Sequence, residues 1–134
     1  MMRPRREYRV DLSRDGTLTT ERGRTLQIPP AWTPEHLVLA ALVRCTLLAL
    51  EFHARKQAAA VAMNATADGH VNRREDGSWG FVHIGCALEV TLDPAPPPPE
   101  LAGLIAHTEE GCFVGQSLVP HPVYRWRVNG VDIA

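Results

Sequence analysis

Two hydrophobic periods alternate along the chain. Tyr8, Val10 and Leu12 interleave with Arg9, Asp11 and Ser13, the two-residue repeat of a strand with unlike faces. Asp15-Gly16 offers a tight turn into Thr17 to Thr20, and Arg22-Gly23 offers a second turn into a short strand from Thr25 to Ile28. Pro29 and Pro30 stop this sheet. Thr33-Pro34-Glu35 then carries the marks of a helix start: a capping hydroxyl, a first-turn proline, and an acid at the positive end of the helix dipole. The spacing predicts a helix from about Pro34 to about Lys56. Its centre is apolar on nearly every side, through Leu37 to Val43 and Leu47 to Leu50, and such a helix must be covered all round. One small sheet covers one side, so a second copy of the chain is the natural cover for the rest.

Beyond the helix the period returns to two. Gln57 to Ala67, rich in Ala and Val, reads as a strand, followed by a polar loop through Asn72, Arg73, Arg74, Glu75, Asp76 and Gly77. Trp79 to Leu92 alternates most clearly, with Val82, Ile84, Cys86, Leu88 and Val90 on one face and His83, Gly85, Glu89 and Thr91 on the other. The prolines from Pro94 to Pro99 form a stiff connector, a helix follows from about Pro99 to His107, and Gly111 breaks it before Cys112. Cys112 to Leu118 reads as a short helical piece closed by Pro120 and Pro122. Tyr124, Trp126 and Val128 then alternate with Arg125 and Arg127 up to an Asn129-Gly130 turn. The expected class is α+β, with small antiparallel sheets around one long helix in a single domain spanning residues 1–134.

Composition narrows the function. In 134 residues, 45% are apolar and 22% charged, enough to pack a core. The net charge is -1, and the basic residues are scattered apart from Arg3, Arg5 and Arg6, read as a solvated tail; a nucleic-acid surface is not expected. No apolar signal-peptide core follows the first residues, and the longest apolar run, interrupted by Arg44, falls short of the roughly 20 residues a membrane span needs. A cytoplasmic home is the expectation. There, three cysteines are free or redox-active thiols rather than a structural disulfide framework. Cys86, on the apolar strand face, reads as core. A zinc site from Cys112, His107 and His121 lacks the usual ligand spacing, and no metal is expected.

The residues that carry chemistry resemble one family. Thr33-Pro34-Glu35-His36-Leu37, followed by an Ala- and Leu-rich stretch ending in Cys45, resembles the OsmC/Ohr signature (osmotically inducible protein C and organic hydroperoxide resistance protein), in which a Pro-Glu pair precedes a peroxidatic cysteine on the central helix. Cys112 stands where that family has a late second cysteine, and Ser13-Arg14-Asp15-Gly16 is similar to its arginine-bearing hairpin turn. Arg44 and Phe113 depart from the pattern, standing where a small residue and a proline are common.

The resemblance implies an intertwined homodimer of OsmC-like fold that reduces organic hydroperoxides. Cys45 would attack the peroxide, Cys112 would resolve the sulfenic acid, and an external dithiol such as a dihydrolipoyl group would reduce the bridge, with no bound cofactor. A buried thiol has its pKa raised, so a thiolate there needs a cation. Arg14 is the candidate, because a guanidinium keeps its charge and offers a fork of donors, with Glu35 orienting it. On one straight helix Glu35 and Cys45 lie ~15 Å apart, so a shared site requires a second chain or a bend before the helix. An alternative on the same fold is a pocket that binds an apolar ligand without turnover; a purely structural role is a third.

Overall fold

The computed structural model describes residues 5–133; Arg3 of the expected basic tail lies outside them. Residues up to Glu35 form one compact unit and residues from His36 onward a second.

The first unit is an antiparallel meander of β1 (Val10–Leu12), β2 (Thr17–Thr20) and β3 (Thr25–Gln27). Its first turn forms where the sequence places it. Gly16 takes a φ of 89°, which a side chain would resist, and the Asp15 carboxylate accepts from the Thr17 N–H at 2.9 Å and from the Ser13 hydroxyl at 2.7 Å. These bonds hold its pKa below the ordinary carboxylate value.

The long helix α1 spans Pro34–Arg55. It ends in a Schellman motif: the Ala59 N–H reaches back to the Ala54 carbonyl at 3.1 Å and the Ala58 N–H to Arg55 at 3.0 Å. That closure puts Ala58 at a φ of 55°, where glycine would be at ease and a Cβ is crowded. With no glycine to mark the stop, the sequence places the helix end one residue late.

Next come β4 (Ala60–Arg73) and β5 (Trp79–Asp93), an antiparallel hairpin. The strand β4 continues past its expected end, because Asp68, His70 and Asn72, loop-like in type, occupy its exposed face. Register shifts between His70 and Val71, so His70 pairs with His83 but Val71 with Phe81. Val82 is the extra residue of this bulge and stands 43% exposed, leaving the buried face to which alternation assigned it. Two helices follow, α2 (Pro98–Gly111), which runs beyond the expected His107, and α3 (Phe113–Ser117).

Strands β6 (Val123–Val128) and β7 (Val131–Ile133) complete a sheet of order β4-β5-β6-β7. This sheet is mixed rather than wholly antiparallel: β6 runs parallel to β5, since the chain returns through α2 and α3 before pairing. The strand β7, beyond the Asn129-Gly130 turn, is an addition to the elements expected. Asn129 locks that turn to β5. Its side-chain amide donates to the Leu92 carbonyl at 3.2 Å, its side-chain oxygen accepts from the Leu92 N–H at 2.9 Å, and its backbone N–H donates to Val90 at 2.8 Å.

The core lies between α1, α2 and the inner face of this sheet. Leu42, Thr46, Leu50 and Ala54, each four residues on from the last, are the buried positions of α1. They join Ile84, Cys86, Leu88, Val90 and Leu92 of β5, Leu104 of α2, and Trp126 and Val128 of β6. Other apolar positions of α1 stay open, Leu48 at 52% and Phe52 at 55% exposure. The helix also exceeds the membrane-span length expected of its apolar run: by length and composition its 22 residues suffice to cross a bilayer. Its buried positions, Leu42, Thr46, Leu50 and Ala54, face the core.

Relieving Ala58 is a direct test of the helix closure. Ala58→Gly should stabilise the protein by about 1 kcal/mol, read as a higher urea midpoint at unchanged slope; a lower midpoint would show that another contact governs this stop.

Candidate active site

Cys45 precedes Thr46 on α1, so it stands at the border of the buried stripe, half-buried and facing the chain around α3. Cys112 lies between α2 and α3 with no solvent exposure. Its sulfur is the N-cap of α3, accepting the Gly115 N–H at 3.4 Å. The Thr46 hydroxyl donates to the Leu42 carbonyl at 2.8 Å and lies 3.6 Å from Cys112 Sγ. In that second contact either group can donate, since a hydroxyl rotates.

The two thiols meet. Cys45 is within hydrogen-bond reach of the Cys112 thiol, and the N–H groups of Val114 and Phe113 are aimed at its sulfur. Burial is the largest influence and raises the Cys45 pKa above 9.0; the Val114 N–H lowers it, Cys112 raises it again, and the Phe113 N–H lowers it. The net shift is upward. Within these surroundings Cys45 is a thiol at neutral pH, as expected of a sulfur still requiring a cation.

Two further residues belong to this cluster. Cys86, read from sequence as core, is 1% exposed and does lie in the core, yet it also faces Thr46 and Cys112; burial first, and then Cys112, push its pKa to about 11. Tyr124 pairs with Cys86 across β5 and β6, and its hydroxyl is buried without a hydrogen-bond partner. Sequence reasoning missed Thr46 and Tyr124. A threonine in an apolar helix was a visible signal, whereas Tyr124 looked like one more inward residue of an alternating strand.

The other expected site residues lie in the first unit. Arg14 is in the turn between β1 and β2, Glu35 is in the first turn of α1, and both are exposed. Of the residues considered for zinc, His107 stacks on His53 with ring centroids 5.5 Å apart, and His121 Nδ1 lies 3.5 Å from the Gly115 carbonyl. Among the described residues no three His, Cys, Asp or Glu side chains are grouped to hold a metal.

A model of the OsmC family, described as OsmC-like protein, matches residues 27–126, which include both thiols. The chain belongs to the OsmC-like family. Solved structures agree on the fold. An OsmC-like protein of unknown function from Vibrio cholerae is 18% identical with a TM-score of 0.75, over 92% of this chain and 100% of that one. An organic hydroperoxide resistance protein from Elizabethkingia anophelis is 16% identical with a TM-score of 0.62, over 95% and 98%. That of Bacillus subtilis is 19% identical with a TM-score of 0.54, over 92% and 96%. No curated protein matches.

The Phe113 N–H is a donor that a proline at this position would lack. Phe113 is also the first residue of α3, where proline is well tolerated, and its side chain is 56% exposed. Phe113→Pro should therefore remove one donor from Cys45 with little loss of stability. Loss of that bond should slow alkylation of Cys45 at neutral pH by about three- to tenfold and move its pH profile upward; an unchanged profile would mean the N–H does not act on the sulfur.

Proposed function

We propose that this OsmC-like protein is a thiol peroxidase acting on organic hydroperoxides, with Cys45 peroxidatic and Cys112 resolving. The observation that carries the reading is the contact between two thiols from distant parts of the chain, one half-buried at the surface of α1 and one fully buried behind it. The Cys45 thiolate attacks the distal peroxide oxygen, the O–O bond breaks, and an alcohol leaves with a proton, giving a sulfenic acid. Cys112 then forms the S–S bond as the S–O bond breaks and water departs. An external dithiol, such as a dihydrolipoyl group, returns two electrons by exchange. No bound cofactor enters the cycle.

The raised Cys45 pKa is the reason to retain Arg14 and Glu35. In this reading Arg14 stabilises the thiolate and holds a peroxide oxygen, and Glu35 orients the guanidinium. The protein works as a homodimer, for which the open apolar positions of α1, Leu48 and Phe52 among them, provide a cover. A soluble, cytoplasmic setting suits three free thiols.

One equivalent of an organic hydroperoxide added to the reduced protein should consume two thiols and yield a Cys45–Cys112 bridge by mass mapping. Cys45→Ser should abolish turnover, and Cys112→Ser should leave Cys45 as sulfenic acid that over-oxidises. Arg14→Ala should slow the first step by at least tenfold, as loss of a charged hydrogen-bonding partner implies. Three thiols surviving peroxide would remove the mechanism and leave ligand binding without turnover as the reading of the site.

A further inference from the structure

Among the described residues, the buried side-chain N or O atom without a well-formed hydrogen bond is the Tyr124 hydroxyl, although Cys112 already stands close enough to act on it. A buried donor without an acceptor is costly, so its presence calls for a state in which it is used. Its position says which. Tyr124 lies beside Cys86 on the inner face of the sheet and reaches to Gly115. A Cβ on Gly115 would run into this hydroxyl and would stand 3.3 Å from Cys112 Sγ, so the phenol oxygen and the sulfur flank one point, and glycine leaves the space between them open.

Around Cys112 the polar groups are already allotted in the reduced state. Its sulfur lies 3.6 Å from the Thr46 hydroxyl and takes the Gly115 N–H. When the proton leaves, the sulfur becomes an acceptor only, and Thr46 can donate to it only by giving up the Leu42 carbonyl. A second donor is required. Cys45, Cys86 and Tyr124 face Cys112, and Glu109, near Cys86 and Tyr124, already accepts from the Trp126 indole N–H at 2.9 Å.

We propose that the Tyr124 hydroxyl donates a hydrogen bond to Cys112 Sγ as that sulfur loses its proton, and thereby drives the resolving step. The inference rests on the peroxidase reading. In the step, Cys112 Sγ forms its bond to Cys45 Sγ, the S–O bond of the sulfenic acid breaks, and the Cys112 proton leaves with the hydroxide as water. Tyr124 gives and takes no proton overall. Burial, and then the neighbouring Cys112, push its own pKa up, so the donor hydrogen stays in place at working pH.

Tyr124→Phe is the test, read on reduced protein mixed with one equivalent of hydroperoxide from neutral to alkaline pH. Sulfenic acid is caught with a dimedone-type trap and disulfide is counted by mass spectrometry. Disulfide formation should slow about tenfold, the size expected for a hydrogen bond to a charged sulfur. The pH at half-maximal resolution should move upward, and trapped and over-oxidised Cys45 should increase. The melting temperature of reduced Tyr124→Phe should equal or exceed that of the parent, because the variant deletes an unsatisfied hydroxyl. Resolution at the parent's rate with the parent's pH profile would overturn the inference, as would a lower melting temperature with unaltered kinetics. Neither trapped sulfenic acid nor disulfide in either protein would instead overturn the peroxidase reading and the inference with it.

Discussion

The burial of a single stripe of α1 against the sheet is the constraint from which the site follows. Leu42, Thr46, Leu50 and Ala54 repeat every four residues, and once they face β5 the rotation of the whole helix is set. Thr46 is thereby driven inward and Cys45 is left at the stripe's edge. The core thus selects which side chain of an apolar helix becomes accessible. A helix turned by one position would expose a threonine and bury the thiol.

Burial and reactivity pull against each other at this edge. The apolar surroundings that fix α1 also raise the Cys45 pKa, and the backbone donors at the head of α3 offset that only in part. Cys112 is fully buried but its neighbours are polar: Thr46, the Gly115 N–H and the Tyr124 hydroxyl. The outer sulfur is held in an environment that disfavours charge, whereas the inner one is ringed by donors and acceptors. That contrast would suit the proposed use of the two thiols in sequence, with the second buried among hydrogen-bonding groups.

Much of the architecture was legible in the chain, for physical reasons that differ by element. The first turn and α1 were marked by residues whose backbone preferences leave few options, Asp15-Gly16 and Thr33-Pro34. The strand β5 was legible because one of its faces is buried along most of its length. The polar half of β4 was not, since Asp68, His70 and Asn72 lie on an exposed face and read as loop. Val82 could not be placed because a bulge resets the alternation, and the parallel register of β6 depends on how two helices route the chain, which no local pattern encodes. The two thiols stood out by type and position, but their meeting is a tertiary fact. Thr46 and Tyr124 were hidden in plain core patterns, since inward-facing polar atoms are told apart only once their neighbours are known.

In the proposed cycle Cys112 would do two jobs with one atom, joining electron count to local stiffness. While reduced, its sulfur closes the head of α3 through the Gly115 N–H. Were that sulfur to bond Cys45, the S–S bond would replace the S–H bond, the lone pair serving the cap would remain, and α3 would be fastened covalently to α1 as well. The short helix would be gripped at its first turn in either state, by a weak clasp in one and a rigid rivet in the other. A reductant searching for the bridge would meet a surface more firmly braced than the one met by the peroxide, and the two reaction partners of a single site could be told apart by mechanical compliance.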